Sequence, residues 1–146
     1  MTIKAGVIGT PIAHSLSPRI HNYWLKLHNI DGSYEAIEVQ PNELERFLRS
    51  LPEKGYAGVN VTIPHKERAM QLVDRVDTAE RVIGAINTIY VGPDGKLDAN
   101  NTDYYGFYKN LKQAAPAFDF TQGRAIVLGA GGAAKAVCAA LIALCD

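Results

Sequence analysis

The chain carries little that would staple it, tether it or give it a charged face. Among 146 residues there are two cysteines, Cys138 and Cys145. They lie seven positions apart in one helix-like segment, so they cannot bridge each other without unwinding it. Such sparse cysteine use fits a reducing, cytoplasmic compartment. The four histidines, His14, His21, His28 and His65, show no metal-ligand spacing, and no metal is assigned. Fifteen basic residues balance fifteen acidic ones. A net charge of zero argues against nucleic acid, which calls for a basic surface, and against a polybasic membrane anchor. No uninterrupted apolar run approaches the ~20 residues of a membrane span. The stretch 5–12 is broken by glycines and Pro11, so no signal peptide is expected.

What is present is a chain long enough for one ordinary domain and short of two, with 47% hydrophobic residues to build a core. Residues 3–9 read as a buried strand. Ser17-Pro18 then reads as a helix start, with Ser at the N-cap and Pro at N1, followed by Ile20, Trp24, Leu27 and Ile30 at helical spacing. A second strand is expected at 33–39, and a helix opening at Pro41 with Leu44, Phe47, Leu48 and Leu51 on one face. A third strand follows at 56–62, then a helix from Pro64. This alternation predicts parallel pairing through βαβ crossovers. The rhythm then changes. A short helix is expected at 77–83, and a hairpin from 87–91 and 97–101 around the turn at 92–95. A helix spans 102–114, and residues 115–123 form a loop. Finally, a strand at 125–128, a glycine turn and a closing helix make a fresh β-α unit. The fold class is therefore α/β: a mainly parallel sheet flanked by helices over 1–115, then the first β-α unit of a Rossmann-like domain over 116–146.

Several polar clusters sit at the ends of these elements. Gly129-Ala130-Gly131-Gly132-Ala133-Ala134 fits G-x-G-x-x-A between strand and helix. Its glycines allow a tight turn and close approach of a pyrophosphate, and the helix N-terminus faces the phosphates. A tight turn with no ligand is the alternative. Ser15 and Ser17 flank a helix start, where hydroxyls can hold a carboxylate or simply serve the helix. Asn60 and Thr62 share one side of a strand by alternation, and both can hydrogen-bond a polyol. Lys66 falls in the first turn of a helix, where a cation opposes the dipole; it is either functional or merely solvated. Asn87-Thr88 and Asn101-Thr102-Asp103 are polar ends that read singly as caps or turns.

Taken in order, A-H-S-L-S-P, N-V-T-I-P-H-K, G-A-I-N-T-I, N-T-D and G-A-G-G-A-A resemble shikimate dehydrogenase, from Gly6 through Ala136. The resemblance implies an α/β first domain and a Rossmann-like NADP domain. It implies NADPH-dependent reduction of 3-dehydroshikimate to shikimate, in aromatic amino-acid biosynthesis. Ser15 and Ser17 would bind the substrate carboxylate. Asn60, Thr62, Asn87 and Asp103 would hold ring hydroxyls. Lys66 and Asp103 would be the catalytic pair. Gly129, Ala130, Gly131, Gly132 and Ala133 would form the cofactor's phosphate turn. Tyr104 departs from the family, which often has glycine there.

Family members are almost twice as long, so the chain is expected to be an N-terminal fragment, inactive alone. The missing part includes the segment that selects NADP. The alternatives are a quinate/shikimate dehydrogenase using NAD, a non-catalytic shikimate-binding module, or half of a split enzyme. The closing β-α unit is apolar around its whole helix, which predicts self-association through residues 124–145. The partners expected are a small-molecule substrate and a second copy, with no nucleic acid or membrane.

Overall fold

A computed structural model describes residues 2–145. Met1 and Asp146, which the domain ranges above include, lie outside the described residues. In strand β1 (Ile3–Gly9), Val7 and Ile8 are buried on opposite sides, so this strand is covered on both faces. Helix α1 (Ser17–Leu27) leads to β2 (Gly32–Glu38), and a 3₁₀ turn at Pro41–Glu43 with helix α2 (Leu44–Arg49) leads to β3 (Tyr56–Val61). Both strands pair in parallel with β1. Pro41 opens the 3₁₀ turn rather than the α-helix, which begins three residues later than the sequence pattern implies.

After α3 (Lys66–Met70) comes a two-residue strand, β4 (Arg75–Val76), which the sequence does not announce. The Arg75 guanidinium grips Asp98 and Asp94 and fastens this edge to the neighbouring hairpin. Helix α4 (Thr78–Ile83) ends at Gly84, whose φ of 75° takes the left-handed C-cap that glycine allows. The hairpin of β5 (Thr88–Val91) and β6 (Leu97–Asn100) then adds to β3 in antiparallel fashion. Among the described residues six strands form one sheet, in the order β2-β1-β3-β5-β6-β4. Helix α5 (Thr102–Ala114) follows.

One face of the sheet holds the main core. Ile8, Val59, Val61, Ile86, Ile89 and Leu97 meet Leu44, Leu48 and Leu51 there. The other face is only partly covered, by α1 through Val7, Ile12 and Tyr34 with Leu25. The helical stripe of α1 forms as its spacing predicts, yet it is not buried: Ile20, Trp24 and Leu27 stay about half exposed. Trp24 and Leu25 border an apolar groove of about 380 Å³ over β1, β3 and β5. Among the described residues no helix is long and apolar enough to cross a membrane.

The last segment departs from expectation. Residues 125–128 form no strand, and Ile126 and Leu128 are 85% and 93% exposed. A strand exists only through hydrogen bonds to a neighbour, and among the described residues none pairs with this run. Helix α6 (Gly132–Cys145) does form, and it packs back on α5 and α4. Ala136, Ala140 and Leu144, four residues apart, make the buried stripe. Lys135, the one charge of that helix, reaches Glu67 Oε2 at 2.6 Å.

Candidate active site

The sheet's carboxyl-end loops gather most of the polar residues singled out above. Thr62 closes β3 by donating its backbone N–H to Ile8, and the chain turns so that His65 N–H meets the Thr62 carbonyl. His65 is 1% exposed, and a ring nitrogen lies 2.8 Å from the Val39 carbonyl. This buried ring pins the turn from which Lys66 starts α3. From the other side, the Ile86 N–H holds the Lys66 carbonyl. The lysine backbone is thus fixed before its side chain is considered.

The Lys66 ammonium pairs with Asp103 Oδ2, and the lysine side chain is 13% exposed. Asp103 sits in the first turn of α5, where the helix dipole favours a carboxylate. Asn101 places it: its side-chain oxygen accepts the Asp103 and Tyr104 N–H groups at 2.9 and 3.3 Å. Its amide nitrogen donates to the Ala85 carbonyl at 2.8 Å. Asn87 completes the group by donating to Asp103 Oδ1 at 2.8 Å. Lys66, Asp103 and Asn87 therefore form one cluster, with each carboxylate oxygen taken by a different donor.

Ser15 and Thr62 share a second cleft of about 360 Å³ with Thr10, His14 and Ile63. It lies at the turn that leads into Lys66. Ser17 does not cap α1; it is the first helical residue, and Leu16 stands at the N-cap. Ser15 Oγ instead accepts the Ser17 N–H at 3.3 Å. Neither hydroxyl is fully buried, and Ser17 Oγ is not used for capping.

Asn60 and Thr62 share the α1 side of the sheet, as alternation predicts: Asn60 pairs with Val7, and two residues on, a Cβ at Gly9 would meet Thr62 Cγ2 at 2.7 Å, though the two residues border different clefts. Asn60 borders the groove on the α1 face. Its oxygen accepts from the Tyr34 hydroxyl at 2.7 Å, and its nitrogen donates to Thr88 Oγ1 at 3.0 Å. Burial pushes the Tyr34 hydroxyl up to about 12. His21 stacks on the Tyr34 ring at 4.1 Å, and burial lowers its pKa. Tyr34 and Thr88 are absent from the sequence-derived site. Thr88 is visible only as the neighbour of Asn87, and Tyr34 gives no local signal.

The glycine turn meets the lysine. Gly129 takes a φ of 115°, which L side chains rarely adopt. A Cβ on Gly131 would meet nothing, so its backbone stands open ahead of a 14-residue helix. Gly132 packs on Lys66: a Cβ there would lie 2.9 Å from Lys66 Cβ. An open, glycine-lined helix N-terminus is what a cofactor's phosphates require. Among the described residues, no group of three or more metal-ligating side chains is present.

The family pattern of the shikimate dehydrogenase substrate binding domain matches residues 7–89. The NADP(+) shikimate dehydrogenase of Paramagnetospirillum magneticum is 54% identical over 137 residues, which is 94% of this chain and 50% of that protein. The crystal structure of shikimate dehydrogenase from Aquifex aeolicus superposes with a TM-score of 0.90 at 38% identity, over 98% of this chain and 53% of that one. The Thermus thermophilus enzyme, in complex with NADP(H) and shikimate, gives 0.85 at 39% identity, over 97% and 52%. The chain spans about half the length of the curated relatives it matches. On the matched domain, the sheet and the closeness of these relatives, the chain belongs to the shikimate dehydrogenase family.

Proposed function

We propose that the chain supplies the substrate half of an NADP-dependent shikimate dehydrogenase that reduces 3-dehydroshikimate to shikimate. Residues 1–115 are the substrate-binding and catalytic domain on this reading, and 116–146 begin the cofactor domain. The observation that carries it is the cluster of Lys66, Asp103 and Asn87 beside a glycine turn that packs on Lys66. A ketone that accepts hydride becomes an alkoxide and must gain a proton near a positive charge. Lys66 supplies both, passing a proton from Nζ to the carbonyl oxygen and becoming a neutral amine. Asp103 holds that ammonium in place and accepts a hydrogen bond from a neighbouring ring hydroxyl. Asn87 turns the Asp103 carboxylate toward the lysine. Ser15 and Ser17 take the substrate carboxylate at the start of α1, with Thr62 beside them.

The residues present fit a dinucleotide. Gly129, Ala130, Gly131, Gly132 and Ala133 would hold its pyrophosphate, and the bound nicotinamide supplies hydride to the carbonyl carbon. NADP rather than NAD is inferred from the relatives' names. The phosphate turn alone gives the nicotinamide ring no wall, so the 146 residues by themselves are expected to bind shikimate without turning it over.

The test is a shikimate titration of this chain by calorimetry, with an NADPH-oxidation assay of a form carrying a complete cofactor domain. Lys66→Ala should lower kcat by ~10²–10⁴-fold while weakening shikimate binding far less. Absence of shikimate binding, or a near-normal kcat in Lys66→Ala, would overturn the reading.

A further inference from the structure

The Lys66–Asp103 pair is held from one side by a row of hydrogen bonds that crosses the sheet. Its polarity can be read from groups with no freedom of role. A backbone N–H can only donate, and a carboxylate can only accept. Asn87 stands between one of each: Oδ1 accepts the Thr102 N–H at 2.9 Å, and Nδ2 donates to Asp103 Oδ1 at 2.8 Å. The Thr102 hydroxyl lies within reach of both ends, so it favours neither orientation. Thr88 does favour one. Its Oγ1 accepts from Asn60 Nδ2 at 3.0 Å, and its own proton goes to Asn87 Oδ1 at 3.0 Å. Asn60 is oriented in turn by the Tyr34 hydroxyl on its oxygen and the Asn87 carbonyl near its nitrogen. Tyr34 is 7% exposed, and burial keeps its phenol protonated and donating across neutral pH. Every donor thus points the same way, from Tyr34 through Asn60, Thr88 and Asn87 to Asp103.

We propose that Thr88 is a positioning residue for the proton-handling pair: its hydroxyl fixes the facing of the Asn87 carboxamide, and through it the seat of the Asp103 carboxylate. The proposal rests on the functional reading above. With the amide reversed, the Asn87 oxygen would face the carboxylate, and the pair would lose a donor and gain a repulsion. The Thr102 N–H opposes that reversal, so Thr88 shares the task and its loss is partial. Tyr34, on the far side of the sheet, acts at one remove.

Thr88 is partly buried in β5, and valine suits a strand equally well, so Thr88→Val removes the hydroxyl with little change of shape. Thr88→Ser keeps it. In the 146-residue protein labelled with ¹⁵N, the side-chain amide protons of Asn87 should be protected from solvent exchange. Thr88→Val should speed that exchange about five- to tenfold, as expected when an ordering hydrogen bond worth ~1–1.5 kcal/mol is removed. Thr88→Ser should restore the slow rate, and Tyr34→Phe should give a smaller change in the same direction. In a form with a complete cofactor domain, Thr88→Val should lower kcat about tenfold with KM within about twofold. Unchanged Asn87 exchange in Thr88→Val, or failure of Thr88→Ser to restore it, overturns the proposal. Should Thr88→Val fail to fold, the Tyr34→Phe and Thr88→Ser spectra decide: equal Asn87 exchange in Tyr34→Phe and wild type overturns it. If wild-type protein binds no shikimate, the functional reading fails, and the amide spectrum still judges the network.

Discussion

Replacing Asn101 by alanine should be among the more damaging single changes at the surface-facing end of the sheet. Asn101 is 7% exposed and works at both ends of its amide. Its oxygen caps α5 through the Asp103 and Tyr104 N–H groups, and losing an N-cap costs about 0.5–2 kcal/mol. Its nitrogen serves the carbonyl of Ala85, a residue with no exposure at all, and a buried carbonyl left unpaired costs about 1–3 kcal/mol more. The two effects together predict a loss of about 1.5–5 kcal/mol. Asn101→Asp keeps the cap and turns an acceptor on the Ala85 carbonyl, so it should recover only part of this. Asp77 gives the control. It stands at the N-cap of α4 with extended backbone but makes no side-chain cap bond, so Asp77→Ala should change little. Urea unfolding followed by circular dichroism measures all three from their midpoints. A loss below about 0.5 kcal/mol in Asn101→Ala, or equal losses in Asn101→Ala and Asp77→Ala, would refute the reasoning.

Other outcomes follow from the same geometry. A Cβ on Gly58 would run into the Ile89 carbonyl oxygen where β3 passes β5, so Gly58→Ala should cost about 1–3 kcal/mol in the same unfolding assay. The Leu97 N–H, with Arg49 beside it, holds the Asp74 carboxyl below its ordinary value of 3.8. A folded-state pKa below the unfolded one adds stability that is full above the unfolded value and fades as pH falls through the folded one. Below about pH 4, then, wild type should lose more stability than Asp74→Asn, and parallel acid-unfolding curves would contradict this. The exposed Ile126 and Leu128 should drive association of the chain at high concentration. Light scattering should show it in wild type and find it abolished by Ile126→Asp with Leu128→Asp; a wild-type monomer at all concentrations would count against it.

Much of this molecule can be read from its residues, and the failures share a cause. The βαβ start, the hairpin around residues 92–95 and the helix at 102–114 follow from local periodicity and turn chemistry, which are properties of short windows. Lys66, Asp103 and Asn87 are brought together by the order of five motifs rather than by any one of them. What escapes the sequence depends on distant partners. Tyr34 meets Asn60 across 26 positions, with no pattern to announce the bond. Residues 125–128 have the composition of a strand, but pairing is supplied by neighbours and not by composition. The stripe of α1 is helical as its spacing demands, while its exposure depends on what covers the sheet.

Gly132 shows how far a fingerprint and a structure can differ in their reasons. In G-x-G-x-x-A the first, third and sixth positions carry the demands, and these are Gly129, Gly131 and Ala134; position 132 is free to vary as far as a phosphate is concerned. The structure gives it a different constraint. A Cβ at 132 would press on Lys66 Cβ at 2.9 Å and on Ala85 Cβ at 3.2 Å. Ala85 is the residue whose carbonyl Asn101 holds, and Asn101 in turn seats Asp103. One small residue thus lets the start of α6 lie against both the stem of the lysine and the loop that positions its carboxylate. The phosphate turn and the proton donor are therefore coupled by packing. Enlarging residue 132 should disturb the Lys66–Asp103 pair even in protein with no cofactor bound, whereas enlarging residue 131, which faces open space, should leave that pair alone.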